Sequence, residues 1–156
     1  MLNLLAFAPC EKALVADDHT STLITILEVM SLSISTEQLA TTPTGLFVPF
    51  RWHVFTLWHR TSPDDSGDYV QCVRLIFPNG EVGLNIEMPF SIHDGDRNFR
   101  GIARLDGFPV SSPGECRLTL ALRRAGEESW REVADYPLMV KLLAAPSASE
   151  RAEPQE

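Results

Sequence analysis

Residues 69–90 read YVQCVRLIFPNGEVGLNIEMPF, two apolar runs joined through Pro78-Asn79-Gly80-Glu81. An Asn-Gly pair between such runs is the strongest short signal for a β-hairpin, because both turn residues tolerate positive φ. The second arm alternates. Val82, Leu84, Ile86, Met88 and Phe90 are expected to face in, and Gly83, Asn85 and Glu87 out. A period of two is the mark of a strand with one buried face.

The pattern repeats on both sides. Apolar runs occupy 2–15, 22–34 and 47–59 before the hairpin, and 99–105, 116–122 and 130–142 after it. Turn formers separate them: Ala16 to Thr20, Thr61 to Asp68, His93 to Asp96, Ser111 to Gly114 and Ala125 to Glu128. Such spacing predicts an all-β fold, an antiparallel β-sandwich of about eight strands. A closed barrel is the second choice; Pro49, Pro89 and Pro137 near strand ends speak for edges, which a barrel lacks. Run 22–34 has apolar residues on both faces, so it is expected to be central or covered by a partner. Ser35 and Gln38 have capping-box spacing, which predicts a short helical turn near 36–40, ended by Pro43 and Gly45. The domain is set at 1–143. Residues 144–156 are Ala, Ser, Pro, Glu, Gln and Arg, and are expected to form a disordered acidic tail.

The formal charge is −8, from 13 basic and 21 acidic residues. That balance repels phosphate backbones and anionic lipid, so neither nucleic acid nor membrane is an expected partner. Cys10, Cys72 and Cys116 are odd in number and widely spaced, which fits buried thiols in a reducing compartment. The apolar start ends at Pro9-Cys10 and lacks a basic flank, so a first strand is expected there and the chain is placed in the cytoplasm.

Residues 7–12 (FAPCEK) and 22–28 (TLITILE), together with Pro78-Asn79-Gly80, resemble a family of small uncharacterised bacterial β-sandwich proteins. The likeness spans residues 1–143. It implies a bacterial source and carries over no activity, cofactor or site residue. Residues 108–130 are similar to the closing hairpin of immunoglobulin-like accessory domains, which implies architecture and nothing of function.

Signatures of chemistry are missing from the sequence. There is no G-x-S-x-G, no phosphate loop, no H-E-x-x-H and no C-x-x-C. Beside Cys10, Glu11 disfavours a thiolate. His53 and His59, six residues apart on one strand, stand roughly 20 Å apart and cannot share an ion. Asp94, Asp96 and Asn98 have the opening spacing of a calcium loop, but Phe99 and Leu105 occupy its glycine and glutamate positions.

Alternating chain reversals would gather the loops after the first, third, fifth and seventh runs at one end. That end would hold Asp17, Asp18, Asp64, Asp65, Asp68, Asp94, Asp96, Glu127 and Glu128, with His19, His59 and His93. Arg60, Arg97 and Arg124 fall near it and dilute its charge. On the third run, Phe50, Trp52, Val54 and Trp58 are expected in the core. Phe55 and Leu57 point the other way and form a candidate interaction surface. The expected role is a non-enzymatic protein-interaction module, with a protein partner or a homo-oligomer and no cofactor. The alternative is a domain that binds a divalent cation or a glycan through those loops.

Overall fold

The computed structural model describes residues 2–17, 20–33 and 46–143. The expected helical turn at 36–40, the tail at 144–156, Asp18 and His19 lie outside the described residues. The strands are β1 (Asn3–Val15), β2 (Ser21–Ile26), β3 (Val29–Ser33), β4 (Leu46–His59), β5 (Gly67–Ile76), β6 (Val82–Ile92), β7 (Asn98–Val110), β8 (Gly114–Arg124) and β9 (Arg131–Leu143). They form two sheets, ordered β2-β1-β4-β7 and β3-β9-β8-β5-β6. The chain is therefore all-β and two-layered. The expectation of purely antiparallel sheets is corrected by β3, which pairs parallel to β9 from Val29–Met139 to Ser33–Leu143.

That correction has one cause. Run 22–34 is two strands, not one. β2 runs antiparallel to β1 in the first sheet, and Leu27 N–H still reaches Pro9 O at 2.9 Å. Glu28 O then accepts from Met139 N–H at 2.9 Å, and the chain continues in the second sheet. Leu27, Met30 and Leu32 enter the core, whereas Ile24 and Ile26 stay exposed. Apolar residues on both faces thus reflect a change of sheet at two edges, not a central strand.

The expected hairpin of β5 and β6 forms, with Leu75 opposite Leu84 and Gln71 opposite Met88. Its turn differs in type. Gly80 takes positive φ (87°), while Asn79 is not among the positive-φ residues. Gly80 N–H bonds to Phe77 O at 2.9 Å, and Phe77 N–H bonds to Glu81 O at 2.8 Å. Pro78 and Asn79 make an ordinary turn, and Gly80 supplies the left-handed residue of a three-residue loop. The other prolines sit where a missing N–H costs least. Pro49 is at the β4–β7 bulge, Pro89 is on edge strand β6, and Pro137 precedes the part of β9 that pairs with β3.

Trp52, Val54 and Trp58 from β4 meet Val73, Leu75, Leu118, Leu120 and Leu138 of the other sheet in the core. Gln71 lies among them, 1% exposed. Its Oε1 accepts from Trp58 Nε1 (2.9 Å) and Thr56 Oγ1 (3.0 Å), so a satisfied polar group ties the two sheets together.

Candidate functional site

The hairpin of β1 and β2 is the least conventional part of the fold. β1 pairs with β4 only as far as Cys10–His53, and beyond that point the ribbon leaves the sheet. Arg100 Nε, on the outer face of β7, donates to Ser21 Oγ at 3.0 Å. Because Arg100 pairs with Leu57, four residues past His53 towards the other end of β4, that bond requires the ribbon to bend back over the outer face of its own sheet. Ala8, Cys10, His53 and Phe55 form a small buried layer on this face, separate from the main core. His53 Nδ1 lies 2.8 Å from Glu11 O, at the bend.

This corrects one candidate surface. Phe55 is 3% exposed and Leu57 is half-buried, so the second face of β4 is already covered by the same chain. Exposed apolar residues occur on the ribbon itself, as they do at Phe47 and Val82 elsewhere. Leu14, Ile24 and Ile26 are 43%, 41% and 49% exposed, and by register Ile24 lies opposite the exposed Lys12 and Thr22 opposite Leu14. β2, with sequence STLITI, is an edge strand holding no charge, proline or glycine. Natural edges are usually blunted by such residues. The other edges conform: β6 carries Pro89 and Glu87, β7 carries Arg100, Arg104 and Asp106, and β3 is five residues whose outward positions include two serines.

Thr25, in the middle of β2, has φ of 53°. A β-branched residue in the left-handed region is strained by about 1–2 kcal/mol. Replacing it with Asn, which tolerates that region, is expected to stabilise the domain by about 1 kcal/mol in a urea melt. An unchanged or lowered midpoint would remove strain from the description of this edge.

The loops at the far end do converge, but on arginines. Arg60 donates to Ser62 O (3.0 Å), His93 O (3.1 Å) and Asp94 Oδ1 (3.2 Å). Ser66 Oγ donates to the same Asp94 oxygen at 2.7 Å, and these two neighbours hold the Asp94 carboxyl below its usual range, Ser66 first. Asp68 accepts from Ser91 Oγ (2.6 Å), Asp96 accepts from His93 N–H (2.9 Å), and His59 Nδ1 lies 2.9 Å from Asn98 Oδ1. Asp17 lies in the turn after β1, at the tip of the bent ribbon. Because run 22–34 holds two strands, the alternation is interrupted between the turn after β1 and the later loops, while the loops after β4, β6 and β8 share one end. Among the described residues no group of three or more His, Cys, Asp or Glu could hold a metal ion. Asp64 is in the 3-10 turn Pro63–Asp65, capped by Ser62.

Asp65 is buried and serves that turn. Its Oδ2 accepts from Thr61 N–H (3.1 Å), Thr61 Oγ1 (3.0 Å) and Ser62 N–H (3.0 Å). Burial alone would raise its pKa, but hydrogen bonds to the carboxylate, those of Thr61 and Ser62 among them, outweigh it and bring the value from 3.8 to about 2. A depressed carboxyl stabilises the fold fully above its ordinary value, and that contribution is lost as pH falls through 3.8 towards 2. Asp65→Asn is expected to cost about 1–3 kcal/mol at neutral pH. The difference between wild type and variant should then shrink as urea melts are repeated at falling pH. A difference independent of pH would contradict the assignment.

Cys10, Cys72 and Cys116 are free and buried, and burial pushes the thiols of Cys10 and Cys116 up, away from a reactive thiolate. No helix among the described residues is long and apolar enough to cross a membrane. Composition-level reading also passed over a recess beside the β8–β9 turn, where Arg123, Arg124, Trp130 and Arg131 meet Tyr69.

No family model and no curated protein matches the chain. It is similar to a solved structure described as an immunoglobulin-like protein from Pseudomonas aeruginosa, at 10% identity and a TM-score of 0.37, covering 90% of this chain and 97% of that one.

Proposed function

We propose that this chain is a non-enzymatic protein-interaction module that receives an extended segment of another protein on the edge of β2, which among the described strands pairs with β1 alone. The observation that carries the reading is the unblunted edge: Ser21–Ile26 lies at the side of its sheet, uncharged, with Leu14, Ile24 and Ile26 exposed beside it. Adding a strand there satisfies backbone N–H and C=O groups and covers the apolar face. Charge selects the occupant. At −8, two copies repel, whereas a basic segment is attracted. The immunoglobulin-like reading of the two sheets, a bacterial source and a reducing cytoplasm belong to the same proposal, the last because it suits three free cysteines.

A divalent cation or glycan at the loop end has less support, since Asp65, Asp68, Asp94 and Asp96 already accept hydrogen bonds from the protein.

The test is selection from a displayed library of extended peptides, followed by affinity measurement on wild type and on the double variant Ile24→Lys/Ile26→Lys. Alternating apolar sequences with net positive charge are expected to be enriched. Their binding should weaken at least ~100-fold in the double variant, since two apolar contacts are lost and two like charges face a basic peptide. The melt of the exposed-site variant should stay near wild type. Enriched peptides that bind both proteins equally would sink the proposal. So would a concentration-dependent dimer that the double variant abolishes, since the edge would then belong to a second copy.

A further inference from the structure

A second feature lies apart from the ribbon. The β8–β9 turn and the Pro63–Asp65 turn border an open recess of about 390 Å³, within the range of small-ligand sites. Its floor is apolar, from the buried side chains of Leu2, Tyr69 and Leu122. Arg123, Arg124 and Arg131 line it, an unusual concentration of cation on a chain of net charge −8.

Two of these guanidiniums are held in place by the protein. Arg124 donates to Asp64 O and to Ser66 O (3.4 Å), and lies over the Tyr69 ring at 5.6 Å. Arg123 Nη1 donates to Glu127 O at 2.7 Å, and its Cζ is 4.6 Å from the centre of the Trp130 ring. Their charge is incompletely answered. Glu87 is 3.6 Å from Arg123 Nη2, longer than the roughly 2.7–2.9 Å of a well-formed ion pair. Arg123 Nε is buried and has no hydrogen-bond partner. Of the two carboxylates among the described lining residues, Asp65 is committed to its own turn, which leaves Glu127 beside Arg123 and Arg124.

The geometry points to a binding site for a small organic anion, a carboxylate or phosphate carried on a flat apolar body. The acid would lie towards the arginines, and the body would rest on Leu2 and Leu122 beside Trp130. Rigid guanidiniums lose little freedom on binding and present planar donors to an oxyanion.

The probes are benzoate and phenyl phosphate, with benzyl alcohol as the neutral counterpart and inorganic phosphate as the bare anion. The readout is the indole N–H signal of Trp130 in a ¹⁵N-correlation spectrum, assigned by Trp130→Phe. Trp52 and Trp58, buried in the core, serve as internal references. At least one organic anion is expected to shift Trp130 saturably, with benzyl alcohol and phosphate each at least ~10-fold weaker. Whichever of benzoate and phenyl phosphate binds better identifies the acid. Arg131→Gln should weaken binding ~10-fold or more, and Arg123→Gln likewise where its melt shows a folded protein. No saturable shift up to ~10 mM of either organic anion would overturn the site. So would equal binding of benzyl alcohol, or undiminished affinity in Arg131→Gln. Peptide binding at β2 is not involved in any of these outcomes.

Discussion

Trp58→Ala is expected to cost about 4 kcal/mol of folding free energy, a large share of the ~5–15 kcal/mol that holds a typical domain together. Trp58 is fully buried on β4, stacked near Phe90 at a centroid distance of 6.3 Å. Truncation removes its buried area and leaves a cavity between two sheets that cannot close without distorting their ladders. The lost indole donor is a smaller part. Gln71 Oε1 keeps Thr56 Oγ1 as a partner, so Trp58→Phe, which keeps most of the volume, should cost only about 1–2 kcal/mol. Urea melts of the two variants separate the contributions. At this chain length, a loss of that size lowers the thermal midpoint by about 10 °C. Equal costs for Phe and Ala would mean that the hydrogen bond, not the packing, holds the site.

Gly101→Ala should be the next most damaging single change, at about 3 kcal/mol for one added methyl group. Gly101 lies opposite Thr56 in the β4–β7 ladder. A Cβ there would press on Thr56 Oγ1 and stand 2.5 Å from Gln71 Nε2. Either the Thr56–Gln71–Trp58 network breaks or the sheets separate. Both leave buried polar atoms without partners, where each costs about 1–3 kcal/mol. The backbone of Gly101 is not in the left-handed region, so the effect is steric and not conformational. Gly126→Ala is the contrasting case. Its φ is 88° with open space around the added carbon, and only the backbone term of about 1 kcal/mol applies. Urea melts that rank Gly126→Ala as the worse variant would contradict the crowding at Gly101.

The strands were legible where one face is buried and the period is two. Trp52, Val54 and Trp58 went to the core for that reason, as did Phe90 of β6 with Leu84 and Met88 packed against it, whereas Val82, expected inside, is 55% exposed. What the period could not show was the switch between sheets within 22–34, because two half-buried edge strands in tandem look like one strand buried on both sides. Glu28, the only charge in that run, marks the crossing. The loop end illustrates a different limit. Counting acids located Asp94 and Asp96, but the partners of those carboxylates are set by Arg60, Ser66 and the turn at His93, which composition does not reveal. Gln71 was hidden inside an apolar run, and only the facing sheet shows that its amide is matched by Trp58 and Thr56. The recess around Arg123 and Trp130 draws on β5, β8 and both adjoining turns, so no local stretch announces it.

Amide hydrogen exchange of the free domain and of the domain saturated with a selected peptide tests the β2 edge most directly. In the free protein, residues 21–26 should exchange faster than β5 and β8, which are paired on both sides. With peptide bound, new protection should be centred on 21–26, with the loops at 60–66 and 93–97 unchanged. Protection at those loops instead, or none at 21–26, would contradict docking on β2.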